Sequence, residues 1–378
     1  MKILFVLENY LPHIGGVEIV FKNLCEGLAK RGNEVVVLTH HIPGTKREET
    51  ISGVKVVRVR CLDSRYLFTF TAVPKAVRYA KWADVIHTTT FNGAPPAWLA
   101  ARIRKKPVLI TVHETWIGKW KEYSDFSKTK SFLHDSLERA VFLPRYNTYA
   151  CVSNATASSL KQVKPKYSND IITIHNGFES SMWEASYKKE STKKIKELGL
   201  KGKFIIFAYG RPGTSKGFQY LIDAYPTIRS KINNATLVLM LSRDKQYAHV
   251  VEKMKKDAPE GIVFIDSQPY KDIPIYTHMA NCVVVPSITE GFGYTTVESC
   301  ASGVPVVASN TTSIPEVIYG KHILVAPKDP LAIADGVYSV YKKKYKTTPK
   351  KKFLWQNSIR DYETEYKRLI LNNNKNKK

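Results

Sequence analysis

The run VVVPSITEGFGYTTVESCASGVPVVAS, residues 283–309, leaves the chain few choices of fold. Three valines, Val283 to Val285, stop at Pro286, and two glycines then bracket Phe292. A segment rich in small residues follows from Tyr294 to Ser302, and Gly303-Val304-Pro305 leads into a second apolar run ending at Ala308. This is strand, loop, helix, strand, the repeating unit of a parallel sheet. Glycine lets backbone N–H groups approach a ligand closely, and a helix start offers unpaired donors with a partial positive charge. The loop that reaches Gly293, Tyr294 and Thr295 therefore reads as a phosphate site.

Glu290 stands before that turn and Glu298 lies beyond it. Carboxylates beside an anion site repel it, but they also accept hydrogen bonds from hydroxyls, so the residues suit a ligand bearing both phosphate and sugar hydroxyls. Two other readings stay open. Thr295-Thr296-Val297-Glu298 fits a capping box, in which Glu298 only bonds the cap residue's N–H. Paired carboxylates also serve as the acid and base of glycosidases.

The rest of the chain repeats the same unit. Ile3 to Leu7 reads as a buried strand, followed by the Gly15-Gly16 loop, a helix from Val17 to about Lys30, and a strand at Val35 to Leu38. No G-x-G-x-x-G is present, so a dinucleotide fingerprint is absent, and the glycine pair can serve a turn alone. Strands follow at 54–59, 84–87, 108–112, 148–152 and 171–174, with helices at 73–81, 97–104 and from Asn154. Such alternation predicts an α/β doubly wound domain, in which ligands sit beyond the carboxyl ends of the strands. His113 occupies that kind of position. The aromatic and lysine-rich stretches Arg65–Phe70 and Trp116–Tyr123 read as loops suited to an acceptor, a stacking surface or a membrane interface.

A second domain opens with a strand from Phe204 to Ala208, followed by Gly210-Arg211-Pro212-Gly213-Thr214-Ser215-Lys216-Gly217 and a helix to about Arg229. The P-loop pattern fails because Gly217 follows Lys216. Cations at a helix start oppose its dipole, so Arg211 and Lys216 point to an anionic partner, such as a pyrophosphate clamped without a metal.

Net charge is +25, which suits nucleic acid, an anionic membrane surface or acidic small ligands. The opening apolar run ends at Glu8, too early for a signal peptide, and no stretch approaches the roughly 18 to 20 apolar residues of a membrane span. A cytoplasmic protein is expected. The five cysteines form no C-x-x-C pair and read as buried thiols.

Glu290, seven residues, Glu298, then Gly303-Val304-Pro305-Val306-Val307, resembles the E-x7-E segment of retaining glycosyltransferases of family GT4. Thr111-Val112-His113-Glu114 resembles that family's T-V-H-D segment, with Glu114 in place of aspartate, and Gly210 to Gly217 resembles its G-R-x-x-x-x-K-G segment. The resemblance implies the α/β GT-B fold, in which two Rossmann-like domains face across a cleft and a C-terminal helix crosses back to the first domain. Expected bounds are an acceptor-binding domain at 1–180 joined by the helix 353–371, a nucleotide-sugar domain at 181–352, and a disordered basic tail at 372–378.

The same resemblance implies a nucleoside diphosphate sugar as donor and transfer with retention, without cofactor or metal. Glu298 is then expected on the ribose, Glu290 and His113 on the donor sugar, Arg211 and Lys216 on the diphosphate, and Gly16 near donor and acceptor. The backbone at Gly293, Tyr294 and Thr295 would stabilise charge on the leaving group. A glycan or lipid-linked acceptor, and a peripheral site at the inner face of an anionic membrane, are the expected partners; nucleic acid is disfavoured. The alternatives are a GT-B-like sugar-nucleotide epimerase and a catalytically silent nucleic-acid-binding protein. Ser242-Arg243-Asp244 departs from the family's glycine-rich turn, which places Arg243 near phosphate or base.

Overall fold

The computed structural model describes residues 1–13, 15–62, 64–242 and 247–375. Arg243 and the last three residues of the basic tail lie outside these. The chain forms two compact units: Met1–Trp120 with Lys128–Gly177 and Phe353 onward, and Phe178–Lys352 with Lys121–Ser127. In the second unit the short stretch from the first half is held where Asp125 accepts from the Thr214 backbone N–H at 3.2 Å.

The first unit is an eight-stranded sheet. Its strands are β1 (Lys2–Val6), β2 (Glu34–His40), β3 (Glu48–Ile51), β4 (Val54–Val59), β5 (Val85–Thr89), β6 (Val108–Val112), β7 (Thr148–Cys151) and β8 (Ile171–Thr173), in the order β3-β4-β2-β1-β5-β6-β7-β8. All neighbours pair in parallel except β3 with β4. That exception is a hairpin whose turn residues, Ser52 and Gly53, both have positive φ (49° and 83°), as a tight two-residue turn requires. Strands buried on both faces explain the near-continuous valine and isoleucine runs.

The helix Trp355–Lys375 belongs to this unit. Ile359, Tyr362, Tyr366 and Leu369 share one buried face, and burying each such side chain contributes about 2 kcal/mol. Tyr366 OH lies 2.5 Å from His87 Nδ1, and Tyr362 OH lies 2.9 Å from Thr111 Oγ1, which in turn is 2.7 Å from His87 Nε2. Arg31 pairs with Glu363 at 2.9 Å at the rim. The helix runs past Leu371, so residues 372–375 of the expected disordered tail are helical.

The second unit has seven strands: β9 (Phe204–Gly210), β10 (Ala235–Leu241), β11 (Ile262–Asp266), β12 (Cys282–Val285), β13 (Val306–Ser309), β14 (Gly320–Val325) and β15 (Lys346–Thr348). Their order is β11-β10-β9-β12-β13-β14-β15, parallel except for β15 at the edge. Order reverses between β9 and β12, which are neighbours, and in such sheets ligands bind beyond the carboxyl ends at that reversal. The loops after β9 and β12 carry Arg211, Lys216 and Glu290. All five cysteines are free and buried.

The sequence pattern does not mark the helices Arg65–Thr71, Lys128–Phe142, Lys188–Glu197, Ala248–Asp257 and Ile273–Met279. The Trp116–Tyr123 segment is a turn leading into a short helix, Trp120–Tyr123. No helix among the described residues is long and apolar enough to cross a membrane.

Candidate functional site

In the second unit the loops after β9 and β12 are stitched together. The backbone N–H of Ile288 donates to Ser215 O at 2.8 Å. Gly217 makes this approach possible: its φ is 64°, and a Cβ there would lie 2.0 Å from the Pro286 carbonyl oxygen. Any other residue would push the Lys216 turn away from the β12 loop. Lys216 is thereby placed with Nζ 2.7 Å from Glu290 Oε1.

Glu290 is fixed at several points. Ser287 Oγ donates to Oε1 at 2.8 Å, the Glu290 backbone N–H donates to Thr312 Oγ1 at 2.9 Å, and Ser313 Oγ donates to its carbonyl at 2.9 Å. Its residue is 8% exposed, and the Lys216 side chain remains a quarter exposed. A pair of this kind returns most of its Coulomb gain as desolvation, so it serves position more than stability.

Glu298 does not cap its helix. Gly293, with φ of 90°, is the N-cap of helix Tyr294–Ala301, and no side chain bonds there. Glu298 instead accepts from Tyr209 OH and Tyr270 OH, one on each carboxylate oxygen and each at 2.8 Å. Burial raises its pKa, the two tyrosine bonds oppose that, and nearby Glu290 adds to the rise while Lys216 counters it. The capping-box reading is thus corrected. The glycosidase reading is weakened as well, since a lysine holds one glutamate and two tyrosines hold the other.

Arg211 is exposed on the same loop as Lys216, with no ion pair among the described residues. Tyr294 packs its ring 5.1 Å from that of Phe292, and Thr295 contributes its carbonyl to Ser299 Oγ at 2.7 Å. The structure therefore gathers Lys216, Glu290, Glu298 and the Gly293 helix start, with Arg211 beside them. The sequence reading does not find Tyr209 or Ser287. Tyr209 was legible in principle, because period-two alternation in β9 puts it on the same face as Phe207 with its hydroxyl beside the strand end.

The first unit holds a cavity of about 300 Å³ beyond the carboxyl end of β6. His113 lines it, its ring 6.0 Å from that of Phe21, and Nε2 is shut from solvent with no hydrogen-bond partner. Burial lowers its pKa to about 4, so the ring is neutral at physiological pH. Helix Gly16–Lys30 lends Val17, Glu18 and Phe21 to the wall. Gly16 itself faces open space, since a Cβ there meets nothing within 4 Å.

Trp120 and Glu138 close another side. Glu138 accepts from the Trp116 N–H at 3.0 Å and from Trp120 Nε1 at 2.7 Å. Burial raises its pKa to about 7, against those two bonds. Glu138 escaped the sequence reading along with its helix. Glu8, Glu18 and Glu114 also line the cavity, and with Phe91 and the two tryptophans they give a wall of carboxylates and rings, suited to the hydroxyls and flat faces of a sugar.

Residues 14–181 match the family model described as Glycosyltransferase Family 4, and residues 190–353 match that described as Glycosyl transferases group 1. An uncharacterized glycosyltransferase of Methanocaldococcus jannaschii is 31% identical over 365 residues, covering 89% of this chain and 88% of that protein. The alpha-monoglucosyldiacylglycerol synthase of Streptococcus pneumoniae is 24% identical over 348 residues, covering 86% and 76%. Among solved structures, Anabaena HepE in complex with UDP and glucose superposes with a TM-score of 0.71 at 18% identity, over 100% of this chain and 98% of that one.

Proposed function

Because the chain belongs to glycosyltransferase family 4 and has the GT-B fold, we propose that it moves a hexose from a nucleoside diphosphate sugar to an acceptor hydroxyl with retention of anomeric configuration. The observation that carries this reading is the Lys216–Glu290 pair held beside the tyrosine-bound Glu298. Lysine and arginine meet the diphosphate, and the helix start at Gly293, with the N–H groups of Tyr294 and Thr295, meets the same charge. Glu298 keeps unused lone pairs for ribose hydroxyls, and Glu290, already oriented by Ser287, accepts from hydroxyls of the donor sugar. HepE, bound to UDP and glucose, supports this choice of donor class.

In the reaction the bond between C1 and the phosphate oxygen breaks, and the acceptor oxygen bonds C1 on the same face. The acceptor proton passes to an oxygen of the departing diphosphate. Lys216 and Arg211 stabilise the charge that grows there, the kind of electrostatic contribution that dominates many such reactions. Their two positive charges take the place of a divalent ion, so transfer proceeds in a chelator. We assign the acceptor to the cavity of the first unit, where the carboxylates meet its hydroxyls, and neutral His113 to a hydroxyl of the donor sugar. The acceptor is a glycan or lipid-linked molecule at the inner face of an anionic membrane, supported by the charge of +25 and by the lipid product named for the pneumococcal relative.

The test is a transfer assay with a donor panel in EDTA, with the anomeric configuration of the product read by NMR. Glu290→Gln and Lys216→Ala should each lose on the order of 10²–10³ in rate at a melting temperature close to that of the wild type. Full turnover by either variant, or epimerised donor formed without any acceptor, would contradict the reading.

A further inference from the structure

The helix Lys128–Phe142 carries apolar side chains outward as well as into the core. It buries Ser131, Glu138, Val141 and Phe142 and turns Phe132, Leu133 and Leu137 outward, at 75%, 55% and 40% exposure. Positions 132, 133, 136, 137 and 140 form one stripe of a helix, and all five are exposed. A surface helix ordinarily does the reverse, and isolated exposed leucines would need no explanation, but a stripe does.

A second short helix, Arg65–Thr71, repeats the pattern. Phe68 is buried, while Tyr66 and Phe70, one turn apart, stand 53% and 71% exposed. The longer helix lends Glu138 to the wall of the first unit's cavity, and the shorter one bonds to the loop that follows Phe91 of that wall. Thr69 Oγ1 donates to Asn92 O at 3.3 Å, next to Phe91 of the cavity wall. The Phe91 ring is 6.1 Å from that of Trp120, which lies 5.1 Å from His134 of the longer helix. A cavity walled by carboxylates and aromatic rings thus has two helices with outward apolar side chains nearby.

Lys128 and Lys130 open the longer helix and Lys119 precedes it, all exposed. Apolar side chains flanked by exposed lysines match the two demands of an anionic bilayer, apolar insertion and headgroup charge. We propose that this rim, formed by the outer faces of helices Lys128–Phe142 and Arg65–Thr71, docks on an anionic lipid bilayer. A lipid-linked acceptor then presents its sugar to the cavity while its chains stay in the membrane. The acceptor part rests on the function proposed above, whereas the docking surface stands on the helices themselves.

The experiment uses the full chain and vesicles of equimolar phosphatidylglycerol and phosphatidylcholine, beside vesicles of phosphatidylcholine alone. Sedimentation is read at low and high salt for the wild type, for Phe132→Asp/Leu137→Asp, and for Leu331→Asp, an exposed leucine of the second unit. Circular dichroism and nucleoside diphosphate binding serve as controls on folding and on the donor reading. The wild type and Leu331→Asp should bind the anionic vesicles at low salt, and the double variant should bind roughly tenfold less while keeping its fold and its diphosphate affinity. The proposal is overturned if the wild type ignores anionic vesicles or if the folded double variant binds as well. It is equally overturned if the wild type is a dimer that the double variant breaks, because the stripe is then a contact between copies. Loss of diphosphate binding in the wild type would instead strike at the donor reading and leave the docking result to be judged alone.

Discussion

Both units hold the carboxylates of their sites, but with different partners. In the second, every carboxylate of the site has a fixed partner: Lys216 and Ser287 hold Glu290, while Tyr209 and Tyr270 hold Glu298. In the first, Asn92 donates to Glu8 at 2.7 Å and Glu138 braces the tryptophan loop, while His113 keeps a shielded nitrogen with nothing bound to it. The second unit's site differs in pairing a carboxylate with a lysine, which suits the charged group proposed for it. The first adds aromatic rings and the unpartnered His113 nitrogen, features that suit the sugar hydroxyls proposed for it. Preorganisation is worth most where charge develops, and it appears in the unit assigned to the diphosphate.

The comparison breaks most visibly at Gly217. Gly217→Ala meets both a positive φ and the Pro286 carbonyl, so stability should fall by about 2–3 kcal/mol in a denaturant titration and diphosphate affinity should drop with the Lys216 turn. Wild-type affinity in that variant would show that the wiring is not needed. A smaller effect is expected for Tyr209→Phe, which removes one of the two donors to Glu298. Calorimetry should show diphosphate affinity reduced by about tenfold, since a hydrogen bond to a charged group is worth about 1.5–3 kcal/mol.

The first unit is sharpened by pH. The Glu138 carboxyl, raised to about 7, favours the fold in its protonated form, and that contribution is lost as pH climbs from the ordinary carboxyl range through 7. Against Glu138→Gln, the wild type should therefore lose up to about 3 kcal/mol in relative stability across that window. His113, lowered to about 4, acts oppositely: stability present above 6.5 is lost as pH falls towards 4, and His113→Asn should remove that acid-side loss. Melting temperatures recorded from pH 4 to 8 test both signs. The smallest structural effect is expected for Gly16→Ala. Open space around that position predicts stability changed by only a few tenths of a kcal/mol, so any large drop in transfer reports a ligand approaching the loop.

Much of the fold was legible because buried parallel strands write themselves as valine and isoleucine runs between glycine-rich turns, as at β1, β6 and β12. The hairpin strand β3, reading Glu-Glu-Thr-Ile, and the edge strand β15 were not, because edge strands carry polar residues and no such run. Helix Lys128–Phe142 was hidden for another reason. Its apolar stripe faces outward, so the usual equation of apolar positions with a core misleads there. At the site, Lys216, Glu290 and Glu298 stood out as charges beside glycines. Their holders Tyr209 and Tyr270 lie 28 or more residues from Glu298, and no local pattern marks a partner made by folding. Glu298 also shows how a local pattern can mislead: Thr295 to Glu298 spells a capping box, yet burial beside two tyrosines gives its carboxylate better partners than a backbone N–H.

The claim that the second unit holds a nucleoside diphosphate by fixed cations is tested most directly by isothermal titration of UDP, GDP and ADP, in EDTA, into the wild type and Lys216→Ala. At least one diphosphate should bind the wild type and bind the variant at least about tenfold more weakly. Binding of none of the three, or equal binding by both proteins, would contradict it.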